Sequence, residues 1–276
     1  MELTVAGHHC HVVSSTQTVS THDVEQTTVV LIHGAANDSD VWHKIAHGLT
    51  NAGYAVLIPD LPGHGLSRGA PLQSVEALAD WVIALLDTIG IKNAVLAGHS
   101  MGSLIALEAT ARYPQRVSQL VLLGSSAPMP VSEALLLTAQ TSPDRACRMI
   151  TKYSHTPHFY LTGSGGHGVW GAGVTLAIMR RSKPGVLAID LDNCNRYHNG
   201  LKAAADVRCP ALLIMGQRDK MTPARNTQAL ESALINVTRT NLADCGHAMM
   251  NEQPEHVVAA LLRFLVYPQI KLKTAS

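Results

Sequence analysis

The sequence predicts an α/β fold built on a mostly parallel, doubly wound sheet, and three observations support this prediction. The short apolar runs along the chain are continuous rather than alternating, which is typical of strands buried on both faces of a parallel sheet. Segments with apolar residues at helical spacing lie between these runs, so strands and helices alternate along the chain. With 276 residues, of which 46% are hydrophobic and 15% charged, the chain can bury one large core.

The predicted elements follow in chain order. Leu3–Val5 and His11–Val13 are expected to form a leading antiparallel hairpin. The later predicted strands are Thr28–Ile32, Ala55–Ile58, Asn93–Ala97, Leu120–Leu123, Ala211–Met215 and Asn236–Asn241. The predicted helices of the sheet are Asp40–Asn51, Ser74–Ile89, Met101–Tyr113 and a last amphipathic helix from Gln253 to Val266. The tail Lys271–Ser276 is expected to be loose.

The alternation of strands and helices stops between Ser125 and about Ala205. This stretch has no clear strand, carries several glycines between Gly163 and Gly173, and then returns to helical patterns at Val174–Arg181 and Pro184–Cys194. An insertion between two strands of the sheet predicts a cap over the C-terminal edge, where open α/β sheets bind their ligands.

Two domains are therefore expected: a core formed by residues 1–125 and 206–276, and a cap or lid formed by residues 126–205. Gly163–Gly168 matches the letters G-x-G-x-x-G, but no strand–helix–strand unit surrounds it. We interpret it as a lid loop rather than a dinucleotide site.

Composition excludes several classes of function. The net charge of +1 gives no electrostatic case for binding nucleic acid or a charged membrane. Five scattered cysteines indicate a reducing compartment, and neither a signal peptide nor a membrane-spanning run is evident. We expect a cytoplasmic monomer or homodimer that acts on a small molecule. No metal site is predicted, since adjacent residues of the histidine-rich His8–His11 strand point to opposite faces.

The most informative motif is Gly98–Gly102, which reads Gly-His-Ser-Met-Gly. It follows the apolar strand Asn93–Ala97 and precedes the helical segment Ser103–Arg112. A serine between two glycines on a strand-to-helix turn is typical of a nucleophile elbow, where the sharp bend raises the serine hydroxyl above the sheet. Ser100 is therefore the predicted nucleophile.

An activated serine needs a base and a group that orients the base. His247 lies between the last predicted strand and the last helix, and Asp219 lies just after Ala211–Met215. The order Ser, Asp, His along the chain is the order that this architecture requires. Asp60 is the competing carboxylate, but its Asp-Leu-Pro-Gly-His-Gly context indicates a structural turn.

The oxyanion hole is expected to use two backbone N–H groups, those of Met101 at the start of a helix and of Ala35 after His33-Gly34. The N–H of Ala36 is the close alternative to that of Ala35, and His33 is expected to hold the loop. Three residues are candidates for contact with substrate, although a structural role is the alternative for the last two: Ala36, His99 and Met249.

Five ordered motifs together resemble the α/β-hydrolase superfamily, and within it the bacterial serine esterases that have a Gly-His-Ser-Met-Gly elbow. The motifs are His33-Gly34, Asp60–Ser67, Gly98–Gly102, Gly216–Asp219 and Gly246-His247. The resemblance runs from about Thr28 to Phe264 apart from the cap. It implies a sheet of about eight strands, a helical cap, and a triad of Ser100, Asp219 and His247. The one departure is Ser103, where the family commonly has glycine.

The resemblance and the motifs predict a serine hydrolase that cleaves a small to medium acyl ester through an acyl-enzyme intermediate. Its expected partners are an acyl substrate and water, with no cofactor. The same residues serve hydrolysis of carbon–carbon bonds, lactones or thioesters, and a slow-turnover ligand receptor is a further alternative.

Overall fold

The computed structural model describes residues 1–15, 26–162 and 170–273, with side chains described as far as Val266. Its centre is one eight-stranded sheet in the order β1-β2-β4-β3-β5-β6-β7-β8. The strands are β1 (Glu2–Val5), β2 (His8–Ser14), β3 (Thr28–Ile32), β4 (Ala55–Pro59), β5 (Ala94–His99), β6 (Val117–Leu123), β7 (Ala211–Gly216) and β8 (Val237–Leu242). The predicted fold class is confirmed.

Among the described strands, the N-terminal hairpin alone departs from a parallel arrangement. β1 and β2 pair antiparallel, with Val5 opposite His8, and β2 runs antiparallel to β4. From β4 to β8 every neighbouring pair is parallel. The chain passes from β3 to β4 on one side and returns to β5 on the other, so the strand order reverses at β3. Ligands of open α/β sheets bind outside the C-terminal ends of the strands at such a point.

Helices cover both faces of the sheet. They are α1 (His43–Asn51, preceded by a 3-10 turn at Ser39–Trp42), α2 (Val75–Ile89), α3 (Met101–Arg112), α10 (Ala224–Ala233), α11 (Met249–Glu252) and α12 (Pro254–Lys273). One buried cluster joins α2 and α3 to the sheet, and a second joins α1 and α12 to its other face. α2 begins where Ser74 Oγ accepts the Ala77 N–H and ends at Gly90, which adopts φ 85°.

Six helices lie among the described residues between β6 and β7, where the sequence predicted an insertion. They are α4 (Glu133–Thr141), α5 (Pro143–Ser154), α6 (Pro157–Thr162), α7 (Gly171–Arg180), α8 (Val186–Arg196) and α9 (Gly200–Asp206). Sequence analysis found only α7 and α8, although Ser132 caps α4 and Pro143 begins α5, both ordinary start signals. The predicted lid loop at Gly163–Gly168 lies outside the described residues.

The C-terminal helix is longer than predicted. It continues to Lys273 and so includes the first part of the tail that was expected to be loose; residues 274–276 lie outside the described part. No helix within the described ranges is long and apolar enough to span a membrane.

Candidate active site

Ser100 occupies a strained turn between β5 and α3. Its backbone adopts φ 54° and ψ −121°, a conformation that residues other than glycine rarely adopt. A Cβ on Gly98 would lie 2.0 Å from the Gly102 carbonyl oxygen, and one on Gly102 would lie 2.3 Å from that of Ile32. Both flanking glycines are therefore required by close backbone approach, as the sequence motif predicted.

Ser103, the one departure from the family motif, supports the same turn. Its Oγ lies 2.6 Å from the carbonyl oxygen of Ser100 and 2.7 Å from Ser125 Oγ. The hydroxyl thus bonds the elbow to the loop after β6.

Asp219 lies just after β7, and its carboxylate accepts four hydrogen bonds. Oδ1 accepts the N–H groups of Met221 and Thr222, both at 2.8 Å, while Oδ2 accepts Thr222 Oγ1 at 2.8 Å and His247 Nδ1 at 2.7 Å. Burial opposes ionisation, but the facing His247 and the Thr222 donors outweigh it and lower the pKa of Asp219 to about 2. Asp219 is therefore a carboxylate at neutral pH.

Thr222, which donates to Asp219 from both its N–H and its Oγ1, was not predicted as a residue of the site. A Thr three residues after an Asp in a turn is a local signal for such a hydrogen bond, because the short side chains bond nearby backbone and hydroxyl groups.

His247 follows β8 and is nearly fully buried. Its Nδ1 donates to the Asp219 carboxylate, which leaves Nε2 as the nitrogen that can accept a proton. Gly124 leaves room for the ring, since a Cβ there would lie 3.0 Å from both Cε1 and Nδ1 of His247. The acid and the base predicted from the sequence are thus in direct contact.

A pocket joins these residues to the inserted helices. Ser100, His247, Ala35 and His99 line one side of it. Its apolar wall is formed by Val41, Ile150, Val174, Ile178, Met179, Leu191, Met221, Ala248 and Met250 together with Ala35. Polar side chains also line it: Asn37, Asp40, His43, Lys44, Ser154, Thr175 and Asn251. The predicted nucleophile and base therefore share one cavity, and half of its apolar lining residues come from α5, α7 and α8.

The loop after β3 lies beside the serine. A Cβ on Gly34 would lie 3.2 Å from both Ser100 Cβ and the His99 carbonyl oxygen. Ala35 follows in the pocket wall, and Met101 is the first residue of α3. Both expected donors therefore lie next to the Ser100 turn, and their role as an oxyanion hole stays a prediction.

Two predicted contacts are corrected by the structure. The N–H of Ala36 donates to Asp190 Oδ2 at 2.8 Å and its side chain is buried in a third apolar cluster, so Ala36 is neither the alternative oxyanion donor nor part of the described pocket wall. Met249 is fully buried in the core beside α12. Its neighbours Ala248 and Met250 line the pocket instead, because consecutive helical residues face different directions.

His99 precedes Ser100 in the chain, and its ring lies beside that of His247. Its Nε2 donates to the carbonyl oxygen of His247 at 2.9 Å, and the two rings are 4.7 Å apart. Burial, together with the neighbouring His247, lowers the pKa of His99 to about 3, so the ring is neutral at working pH. Within the described structure it supports the His247 loop, and contact with substrate stays a prediction.

His33 and Asp60 make the structural contacts expected of them. His33 Nδ1 donates to Gly34 O at 2.9 Å, and its Nε2 accepts the Leu61 N–H at 3.1 Å. Asp60 accepts the N–H groups of Ser39 and Leu66, each at 2.8 Å. Asp60 therefore holds the turn after β4 through backbone amides, whereas Asp219 contacts His247.

Comparisons with known proteins agree with this architecture. A family model described as alpha/beta hydrolase fold matches residues 27–151. The chain is 29% identical to a pimeloyl-(acyl-carrier protein) methyl ester esterase of Aromatoleum aromaticum, over 82% of this chain and 93% of that protein. It is 28% identical to a 2-hydroxy-6-oxononadienedioate/2-hydroxy-6-oxononatrienedioate hydrolase of Paraburkholderia phymatum, over 86% of each.

A solved structure shows the same fold. The enol-lactonase of Burkholderia xenovorans superposes with a TM-score of 0.83 at 21% identity, over 96% of this chain and 99% of that one. Together with the observed sheet order, these matches show that the chain has the α/β-hydrolase fold.

Proposed function

We propose that this protein is a serine hydrolase that cleaves a small to medium acyl ester through an acyl-enzyme intermediate. The observation that carries the proposal is the shared pocket of Ser100 and His247, with His247 Nδ1 bonded to Asp219 at 2.7 Å. A serine, a base and an oriented carboxylate in this arrangement make up a nucleophilic triad.

The reaction follows from the roles of the three side chains. His247 Nε2 takes the proton of Ser100 Oγ as that oxygen attacks the acyl carbon, and Asp219 stabilises the imidazolium that forms. The alcohol leaves with the proton from His247, which completes the acyl-enzyme. Water, deprotonated by His247, then attacks the acyl carbon, and His247 gives this proton to Ser100 Oγ as the acyl–serine bond breaks and the acid leaves.

The negative charge on the tetrahedral intermediate needs donors that are in place before the reaction. We assign this role to the N–H groups of Ala35 and Met101. The α3 dipole favours negative charge beside Met101. One such donor contributes about 10²–10³ in kcat in comparable sites.

The size and lining of the pocket indicate the substrate class. Its volume is about 90 Å³, which is small for a ligand pocket. This size favours a short acyl group over a long lipid or a polymer, and the apolar half of the lining favours an uncharged one. In this proposal residues 126–205 act as a cap, because α5, α7 and α8 supply much of that wall.

The names of the relatives support acyl chemistry without selecting one bond. One is a methyl ester esterase and a structural neighbour is an enol-lactonase. Lactones, thioesters and carbon–carbon bonds next to a carbonyl remain alternatives on the same triad.

Labelling and turnover test the proposal together. A fluorophosphonate probe should label Ser100, and p-nitrophenyl acetate and butyrate should be hydrolysed continuously. Ser100→Ala should abolish labelling and lower kcat by about 10⁴–10⁶. Ser118→Ala, an exposed serine on β6, is the matched control and should change neither. Labelling of the alanine variant would refute the nucleophile, and a single burst without turnover would favour a receptor.

A further inference from the structure

A buried carboxylate from the inserted segment contacts the loop beside Ser100. Asp190 lies on α8, and its side chain is fully buried. Oδ2 accepts the Ala36 N–H at 2.8 Å and bonds His64 Nε2 at 2.8 Å. Oδ1 has no hydrogen-bond partner in the described part of the chain. One side chain of the insertion therefore joins two loops of the core.

The hydrogen bonds of His64 favour a protonated ring. Nδ1 faces the carbonyl oxygen of Pro62 at 3.1 Å, and Nε2 faces the Asp190 carboxyl group. A ring that donates from both nitrogens satisfies both of these acceptors, and an imidazole with two protons is charged. Burial opposes this charge, but Asp190 outweighs it and raises the pKa of His64. His33 and Asp60 are the other titratable groups close to the ring.

The buried His64–Asp190 pair is expected to add little net stability to the position of α8. Both side chains are about 1% exposed, and desolvation of a buried ion pair commonly cancels its attraction. Stability alone therefore does not account for the arrangement, and its position beside the active-site loop suggests another role.

The residue that Asp190 holds is itself strained. Ala36 adopts φ 52°, in the left-handed region that disfavours side chains with a Cβ. Such a conformation costs about 1–3 kcal/mol and persists only where neighbouring groups fix it. Asp190 binds the N–H of this residue, and Ala35, the assigned oxyanion donor, directly precedes it in the chain.

We propose that Asp190 is a positioning residue for the oxyanion loop, defined here as Gly34–Asn37. Paired with His64, its carboxylate fixes the Ala36 amide away from the pocket and so sets the direction of the Ala35 N–H. The inserted segment then takes part in catalysis as well as enclosing the substrate. This inference rests on the function proposed above, in which Ala35 donates to the oxyanion.

The same helix offers a matched control. Asn193, one turn further along α8 and also buried, donates through Nδ2 to the Leu72 carbonyl oxygen at 2.9 Å. It binds α8 to the core without touching the oxyanion loop. Asn193→Ala should therefore reproduce any general loosening of the helix and leave the position of Ala35 unchanged.

The test compares kcat and KM for p-nitrophenyl butyrate in Asp190→Ala, Asp190→Asn and Asn193→Ala. Oxyanion contacts act mainly in the transition state, so Asp190→Ala should lower kcat about 10–100-fold and change KM less than about threefold. The amide of Asp190→Asn can still accept the Ala36 N–H, so its loss should be smaller but still about fivefold or more relative to Asn193→Ala. If Asp190→Ala does not fold, Asp190→Asn decides by the same criterion.

A spectroscopic measurement tests the ion pair separately from activity. In wild-type protein at about pH 7.5, ¹⁵N NMR should show both nitrogens of His64 protonated, and Asp190→Asn should remove that signature. A neutral His64 in the wild type, or a folded Asp190 variant with the kcat of Asn193→Ala, would overturn the inference. Loss of the proposed function would look different, because Ser100→Ala would then remain active.

Discussion

Replacement of Asp219 by Asn tests the orientation of the base, and the structure fixes how the new amide must lie. The Oδ1 position receives two backbone N–H groups, from Met221 and Thr222, both at 2.8 Å. A flipped amide would point its NH₂ at these donors and leave both without an acceptor. Each buried unsatisfied N–H costs about 1–3 kcal/mol, so the flip is disfavoured by at least about 2 kcal/mol, or roughly thirtyfold.

The amide nitrogen is therefore held against His247 Nδ1, where Oδ2 accepted a hydrogen bond. A donor at this position favours the tautomer with its proton on Nε2, which cannot accept the proton of Ser100. The same change in a serine triad lowers kcat by about 10⁴, equivalent to about 5.5 kcal/mol of activation free energy. The fold should persist, since Thr222 Oγ1 can accept from the new NH₂ group.

The assay is steady-state hydrolysis of p-nitrophenyl butyrate, with thermal unfolding to confirm that the variant is folded. Asp244→Asn is the matched control, because Asp244 is exposed and pairs only with Arg218 in the described contacts. Its kcat should equal that of the wild type. A folded Asp219→Asn enzyme within tenfold of the wild-type kcat would refute the assignment, as would a larger loss in Asp60→Asn.

Four further outcomes follow from the same geometry. His247→Ala should lower kcat about as much as Ser100→Ala, because the members of a triad act as a unit, and near-normal turnover would exclude His247 as the base. The pKa of Asp219 is lowered to about 2, so its carboxylate stays ionised as pH falls to about 4; kcat/KM should still decline on the acid side, because only a neutral imidazole can take the proton of Ser100, and undiminished activity at about pH 4 would contradict this. Substrates such as 1-chlorobutane and styrene oxide should not be turned over, because Ser100 would form an ether with no carbonyl for water to attack; sustained halide or diol release would overturn the acyl assignment. Gly102→Ala should destabilise the protein by about 1–3 kcal/mol or more in denaturant unfolding, since its Cβ would lie 2.3 Å from the Ile32 carbonyl oxygen, and unchanged stability would contradict the close approach.

The strands of the sheet could be predicted because a strand buried on both faces is a short, continuous run of apolar residues. β3 was predicted with its observed bounds, Thr28–Ile32, and β7 to within one residue. The inserted helices α4, α5, α6 and α9 were missed. α4 has its leucines in one run rather than at helical spacing, and α6 and α9 have only six and seven residues, so periodicity gave little signal there. α5 has both a start signal at Pro143 and an amphipathic pattern, and it could have been predicted.

The triad candidates were predictable for a similar reason. Each lies in a loop after a strand, and parallel strands place all of those loops at one edge. Chain order and residue type were enough to name Ser100, Asp219 and His247, and the structure shows Asp219 and His247 in contact. The roles assigned to them remain predictions until the variants are measured.

The sequence by itself thus determined the fold class and the side chains that meet at the sheet edge, because both depend on local patterns and on strand order. Tertiary structure alone decided which amides and apolar groups surround them. Asp190 lies 154 residues from Ala36 along the chain, and no local pattern reports a hydrogen bond across that separation. That single contact removes Ala36 from the oxyanion hole. Packing of the helices likewise decides which side of α11 faces the pocket. Met250 lines the pocket, whereas Met249 lies in the core.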